Sequence, residues 1–212
     1  MSVGLLTVMH HQSGEDRDRL VSRLRDILAM SPHDEAVVVD TSPTRLDAAL
    51  PCKYVWTGGW NIFYGGAINH AVSIMKSDKL VYFSVKRGKA HESRWVEEIT
   101  APLDDEKCGM AGTLAPCQLQ VVANDLDGTA KVHVQGGLWA ARREVLLTRP
   151  YSPHFPQCYS DVWMSWKLQR DGFRLSNVPS VRAVAGGVIK DPFRYSFAVD
   201  YTDHWASYGK DI

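Results

Sequence analysis

The stretch VGLLTVMHHQSGEDRDRLVSRLRDILAM (Val3–Met30) predicts a β-strand followed by an α-helix. Its first part is a short apolar run of strand-forming residues, and its second part carries apolar residues at the spacing of one helical face. Ser13 stands three residues before Asp16, an arrangement typical of a helix N-cap with an acidic first turn. The next run, EAVVVD (Glu35–Asp40), has four consecutive apolar residues before Asp40, which favours a parallel strand covered on both faces.

The alternation of helix and strand continues to about residue 85. GGAINHAVSIMKS (Gly65–Ser77) predicts a second helix, and KLVYFSV (Lys79–Val85) predicts a third buried strand. Such alternation predicts an α/β fold with an open, mostly parallel sheet. Ligands of these sheets bind beyond the carboxyl ends of the strands, so residues 7–11, 40–42 and 84–87 are expected to border one crevice.

The second half of the chain has a less regular pattern. It predicts a short helix near Glu92–Ile99, strands in Cys108–Pro116 and Lys131–Gln135, a helix within Gly136–Leu147, and a last helix from Ser160 that Gly172 ends.

Composition indicates one domain with an ordinary core. Apolar residues make up 45% of the 212 residues, and 24 basic residues balance 24 acidic ones, so no general attraction to nucleic acid or to anionic membranes is expected. The cysteines lack metal-site spacing, which favours free thiols in a reducing compartment. No leader or membrane-spanning run is recognised, and the sequence predicts a cytoplasmic protein without a membrane partner.

Several motifs, in order, resemble those of glycosyltransferases with the GT-A fold, most closely the large family-two group. EAVVVDTS is similar to the family's strand that ends in Asp, and NIFYGGAINHA places Asn61 and Asn69 at its two Asn positions. GGLWAARREVL is similar to the glycine-led acceptor segment, and YSDVWMSWKLQRDGFRL to the Glu-Asp helix. The resemblance covers about Val3 to Ala185. It implies a single GT-A (Rossmann-like) domain with a nucleotide-sugar-binding half (1–88), an acceptor-side half (89–187) and a C-terminal arm (188–212).

The resemblance also implies an activity: transfer of a sugar from a nucleotide-sugar donor, a UDP-sugar in our interpretation, to an acceptor hydroxyl with inversion. The residues that it assigns to binding are, for the donor, Thr7, Asp40, Asn61, Asn69, Ser84, Lys86 and Arg87, and, for the acceptor, Gly136, Gly137 and Tyr159. Asp161 matches the family's general base, which takes the proton of the acceptor hydroxyl.

The largest departure from the family lies at its metal-binding Asp-x-Asp motif. Ser84 and Lys86 occupy the positions of the two carboxylates, and Arg87 follows, so the hard oxygen ligands of Mg²⁺ or Mn²⁺ are missing there. We therefore expect no metal at this point and no required cofactor, and interpret the cations as a substitute that neutralises the leaving diphosphate. A divalent metal held by residues remote in sequence stays open.

Each candidate also has a structural explanation. Lys86 and Arg87, with Lys89, could form a solvated basic turn, Asp40 could bond backbone N–H groups of its own turn, and Asp161 could complement a helix dipole. The two Asn side chains could satisfy backbone groups.

The acceptor and the class of protein remain open at this point. A soluble glycan, a protein or a hydroxylated base in DNA, as in phage-type DNA modification, would each suit the sequence, since basic segments at 86–89 and 142–143 could meet phosphates. The alternative is a catalytically inactive GT-A-like module that binds a nucleotide sugar or a partner. A nucleotidyltransferase is disfavoured, because TVMHHQSGED (Thr7–Asp16) has no glycine-rich basic loop.

Overall fold

A seven-stranded sheet forms the centre of the computed structural model, which describes residues 1–11, 13–85, 94–116, 132–153 and 160–181. The strands are β1 (Val3–Met9), β2 (Glu35–Asp40), β3 (Lys53–Trp56), β4 (Lys79–Phe83), β5 (Cys108–Pro116), β6 (Val132–Arg142) and β7 (Arg174–Asn177). The helices are α1 (Gly14–Met30), α2 (Phe63–Ile74), α3 (Trp95–Thr100), α4 (Arg143–Thr148) and α5 (Ser160–Arg170), with a 3₁₀ turn at Ala101–Asp104.

The strand order is β3-β2-β1-β4-β6-β5-β7, and four of the six neighbouring pairs are parallel. Only β6 runs against its neighbours, pairing antiparallel with both β4 and β5. The expected α/β architecture with a mostly parallel sheet is therefore confirmed.

Helices cover both faces of the sheet. One face packs against α1 and α3 through a cluster that includes Leu24, Ile99 and Val38, and the other packs against α2, α4 and α5 through a cluster that includes Ile68 and Trp139. Strand β2 contributes side chains to both clusters, which explains its unbroken apolar run. The predicted caps are also present: Ser13 Oγ accepts from Asp16 N at 3.2 Å, and Gly172, at a φ of 86°, follows the end of α5.

Two short strands were not predicted, and one predicted helix is shorter than expected. β3 and β7 have only four residues each, so they carry too little periodicity to detect. Residues 136–142 belong to β6, and only Arg143–Thr148 is helical. The prediction of a helix across GGLWAAR was wrong, because a strand buried on both faces lacks the alternation that distinguishes it from a buried helix.

None of the helices in the described parts of the chain is both long and apolar enough to cross a membrane.

Candidate functional site

The parallel strands β1, β2, β3 and β4 end at one edge of the sheet, which is where the sequence predicted a crevice. The reversed direction of β6 brings its Gly136 and Gly137 to this same edge, where Ser84 N donates to Gly137 O at 2.9 Å. Asp161, in the first turn of α5, reaches the edge from the acceptor side, since Gly136 N donates to its Oδ2 at 3.0 Å. Residues predicted for donor and acceptor therefore meet in one place.

Asp40, at the end of β2, is fully buried and held by two hydrogen bonds. Its Oδ1 accepts from Ser42 N at 2.9 Å, which is an Asx turn, and its Oδ2 accepts from the Tyr54 hydroxyl at 2.7 Å. Burial, together with the hydrogen bond to Asp40, raises the pKa of Tyr54, so that hydroxyl remains a donor. The sequence had suggested the turn but gave no indication of Tyr54.

The end of β1 is tied to the same turn. His11 N donates to Ser42 Oγ at 2.8 Å, and His11 Nε2 lies 3.8 Å from Asp40 Oδ2 in a buried position. Thr7 is buried as well, and its hydroxyl donates to Phe83 O at 2.5 Å across the β1–β4 pair. In this conformation Thr7 and Asp40 therefore shape the floor of the crevice rather than stand in it.

The two predicted Asn residues have different surroundings. Asn61 is exposed beside the crevice, and its Oδ1 accepts from Phe63 N at 2.9 Å where α2 begins. Asn69 is half-buried, and its side-chain amide makes two hydrogen bonds with the backbone of Tyr151. Asn69 Nδ2 donates to Tyr151 O at 2.9 Å, and Asn69 Oδ1 accepts from Tyr151 N at 2.8 Å. Asn69 thus fastens the chain segment that follows α4 to α2, which is the structural explanation anticipated for it.

Ser84 is half-buried at the end of β4, directly beside Gly137. The predicted cations Lys86 and Arg87 and the predicted acceptor residue Tyr159 lie outside the described residues, as does the C-terminal arm.

The Asp161 carboxylate is held on two sides but keeps access to solvent. Besides the bond from Gly136, its Oδ1 accepts from Val162 N at 2.9 Å, while 28% of its side chain remains exposed. The Nε2 of His133, on β6, lies 3.9 Å from Asp161 Oδ2. A carboxylate held in a fixed direction with part of its surface open is suited to accept a proton from a bound hydroxyl.

A cluster of aromatic side chains supports the floor beneath Asp161. Trp139 Nε1 donates to the Tyr64 hydroxyl at 2.7 Å, and that hydroxyl lies 3.4 Å from Gly136 O, so α2 contacts the predicted acceptor glycine. Burial raises the pKa of Tyr64 and of Tyr151 well above the usual range for tyrosine, and the negative charge of Asp161 acts in the same direction. Both phenols therefore stay protonated.

The residues that sequence reasoning missed are His133, Tyr64, Tyr151 and Tyr54. Each meets its partner only through the packing of elements distant in sequence, as with His133 and Asp161, so no local motif marks it.

The described residues do not fit a divalent metal. Ser84, at the end of β4, offers a single neutral hydroxyl, and no group of three His, Cys, Asp or Glu side chains converges anywhere in the described ranges. We derive no chemical step through a metal.

Comparison with known proteins gives a structural likeness only. No protein-family model matches the sequence, and the search of curated proteins gives no match either.

Solved structures resemble the chain closely in fold at low sequence identity. A mannosyltransferase from Pyrobaculum calidifontis, in complex with GDP-Man and Mn²⁺, matches 92% of this chain with a TM-score of 0.67 and 15% identity; the chain spans only 59% of that protein. Glucosyl-3-phosphoglycerate synthase from Mycobacterium tuberculosis, in complex with UDP, matches 97% of this chain over 80% of its own length, with a TM-score of 0.66 and 14% identity. The chain therefore has the GT-A fold of these glycosyltransferases.

Proposed function

We propose that the protein is a glycosyltransferase that moves a sugar from a nucleotide-sugar donor, a UDP-sugar, to an acceptor hydroxyl. The observation that carries this proposal is the convergence of Ser84 with Gly136, Gly137 and Asp161 at one sheet edge. The fold adds support, because structural neighbours include proteins solved with GDP-Man or with UDP-glucose.

Asp161 acts as the general base in this proposal. As the acceptor oxygen forms its bond to the anomeric carbon, Asp161 takes the hydroxyl proton, and the bond from that carbon to the diphosphate oxygen breaks. The nucleoside diphosphate leaves with the electron pair, and attack from the opposite side inverts the anomeric centre. Hydrogen bonds from Gly136 N and Val162 N fix the direction of the carboxylate.

On the donor side, the crevice beside Asp40 and Asn61 receives the nucleoside, and the end of β4 receives the diphosphate. The leaving diphosphate gains negative charge, which Lys86 and Arg87 neutralise in the place of a metal. This part of the proposal rests on the sequence, where these cations directly follow Ser84 and Val85.

The acceptor is a soluble glycan, a protein or a hydroxylated DNA base. We propose the cytoplasm as the compartment, a choice supported by the free thiols of Cys52 and Cys108. Burial raises the pKa of the Cys52 thiol to about 11, so little reactive thiolate forms there at neutral pH.

The test is release of nucleotide from UDP-, GDP- and TDP-sugars in the presence of simple glycans or hydroxymethylated DNA, with and without EDTA. Asp161→Asn is expected to lower turnover by about 100-fold or more while nucleotide binding persists, since it keeps the shape but removes the base. Lys86→Ala and Arg87→Ala are expected to lower turnover in EDTA as well.

Different failures separate the parts of the proposal. Turnover that EDTA abolishes would contradict the substitution of cations for metal but keep the transferase. Full activity of Asp161→Asn would remove this residue as the base. Tight binding of a nucleotide sugar with no turnover on any acceptor would favour the inactive binding module.

A further inference from the structure

The loop between β3 and α2, residues 57–62, is held firmly against the end of β2. Thr57 N donates to Asp40 O at 3.0 Å, and the Thr57 hydroxyl lies within hydrogen-bonding distance of both Asp40 O (3.2 Å) and Trp60 O (2.5 Å). The neighbouring Trp56 fixes the same region, since its Nε1 donates to Ser42 O at 3.0 Å. The loop is therefore attached to the end of β2 at its start, and Thr57 ties the middle of the loop to that start.

The backbone of this loop has conformations that need particular residues. Gly58 and Gly59 have φ angles of 74° and 87°, in the left-handed region that favours glycine. A Cβ on Gly59 would also come within 3.2 Å of Pro43 O. Phe63, at a φ of 57°, adopts a left-handed conformation that is costly for a bulky side chain, and Asn61 supports it by accepting from its N–H. The sequence thus specifies one shape for the loop.

In this loop conformation the side chain of Trp60 is exposed to solvent. Trp60 is 77% exposed, whereas Trp95, Trp139 and Trp166 are each at most 9% exposed. Among the large apolar side chains exposed in the described ranges, only Trp60 is aromatic. A rigid loop that keeps an indole out of the core indicates that the ring has a ligand, since burying it would otherwise stabilise the fold.

The position of Trp60 indicates which ligand this is. The loop leaves the sheet at β3 and crosses to Tyr64, whose hydroxyl lies 3.4 Å from Gly136 O. Through Thr57, the backbone of Trp60 is tied to the end of β2, which lies on the far side of β1 from β4 and Ser84. The proposed function puts the diphosphate at the end of β4, and a nucleoside that extends from there towards β2 and β3 would bring its base to Trp60.

We propose that the indole of Trp60 stacks on the nucleobase of the donor nucleotide. This inference rests on the proposed function, because it takes the crevice to be the donor site. Every base has a π-face, so stacking contributes affinity for UDP and GDP alike and does not itself select between them. The choice of base then falls to polar groups at the ends of β1 and β2.

The experiment is calorimetric titration of UDP and of GDP into wild type, Trp60→Ala and Trp60→Phe, without any acceptor. Trp60→Ala is expected to weaken binding of both nucleotides by about 5- to 100-fold, and Trp60→Phe to retain most of the affinity, because phenylalanine keeps a stacking ring. Leu147→Ala is the matched control: Leu147 is also exposed, at 45%, but lies on α4 at the opposite edge of the sheet, and its replacement is expected to leave both affinities unchanged.

Thermal unfolding of each variant establishes that the exposed substitution leaves the fold intact. If Trp60→Ala binds UDP as tightly as wild type, the stacking is overturned while the transferase stands. Equal losses in Trp60→Ala and Trp60→Phe would also overturn it. If wild type binds no nucleotide at all, the proposed function fails first and the stacking fails with it.

Discussion

Replacing Gly136 with alanine tests the position of Asp161 with a single added methyl group. A Cβ on this residue would stand 3.0 Å from Asp161 Oδ2 and 3.3 Å from its Cβ and Cγ. The φ angle of Gly136 lies outside the left-handed region, so alanine can adopt the backbone conformation without strain. The main effect of the substitution is therefore a push on the carboxylate.

The displacement of the carboxylate follows from these contact distances. Ordinary van der Waals contact begins at 3.4 Å, so Asp161 must move by roughly 0.4 Å, a shift that its 28% exposure permits. A displacement of about 1 Å in a reacting group can cost about 100-fold in rate. If the activation free energy rises in proportion to the displacement, a shift of roughly 0.4 Å lowers kcat by about sixfold. The affinity for UDP should stay unchanged, because the proposed nucleoside position lies on the far side of β1 from Gly136.

The assay is steady-state turnover of the donor, with UDP affinity measured separately by calorimetry. Gly14→Ala is the matched control, since a Cβ there has no atom within 4 Å, and it should behave as wild type. The reasoning is refuted if Gly136→Ala keeps full kcat, or if its UDP affinity falls as much as its kcat. A similar loss in Gly14→Ala would show that the effect is not local to the carboxylate.

Three further substitutions test the packing around the crevice and the sheet. Tyr54→Phe removes a hydrogen bond to the buried carboxylate of Asp40 and should lower the free energy of unfolding by about 1–3 kcal/mol, measured by urea denaturation. Gly112→Ala places a Cβ 2.7 Å from a valine methyl and 2.9 Å from a backbone carbonyl oxygen, and should lower the free energy of unfolding by about 1–3 kcal/mol in the same measurement. A hydrogen bond from Lys79 and its charge lower the pKa of Asp104. Wild type should therefore have a higher Tm than Asp104→Asn at pH values above about 4, the pKa of Asp in the unfolded state. This difference in Tm should disappear as pH falls through the lower folded-state pKa and should shrink as salt is added, which differential scanning calorimetry can measure.

The sequence predicted the parallel half of the sheet well, because strands and helices alternate there with clear periods. β2 is an example: its consecutive apolar residues pack into the hydrophobic clusters on both faces of the sheet, so no exposed polar residue interrupts the run. The same burial misled the prediction for β6, where GGLWAAR is covered on both faces and could equally have been helical. β7, with the sequence RLSN, has no apolar run, and its pairing with β5 is a tertiary effect.

The sequence predicted where the candidate site lies, but not the contacts that orient its side chains. The Asp at the end of β2 and the Asp in the first turn of α5 could be chosen from their positions at element ends. The partners that orient them could not: Tyr54 reaches Asp40 from the neighbouring strand β3, and His133 reaches Asp161 because β6 packs against α5. Such contacts depend on register and packing, which a single sequence does not display.

The antiparallel direction of β6 explains how this sheet brings Ser84, Gly136 and Asp161 to one edge. If β6 ran parallel to β4, its Arg142 end would lie at the crevice and Gly136 would lie at the opposite edge. The observed pairing of Phe83 with Leu138 instead sets Ser84 beside Gly137, and Gly136 then holds Asp161. A slip of one residue in this pairing would move the acceptor side by about 3.4 Å along the strand and exchange its two faces. The separation of Ser84 from Asp161 is thus set by the register of one strand pair and by the bond from Gly136 to Asp161.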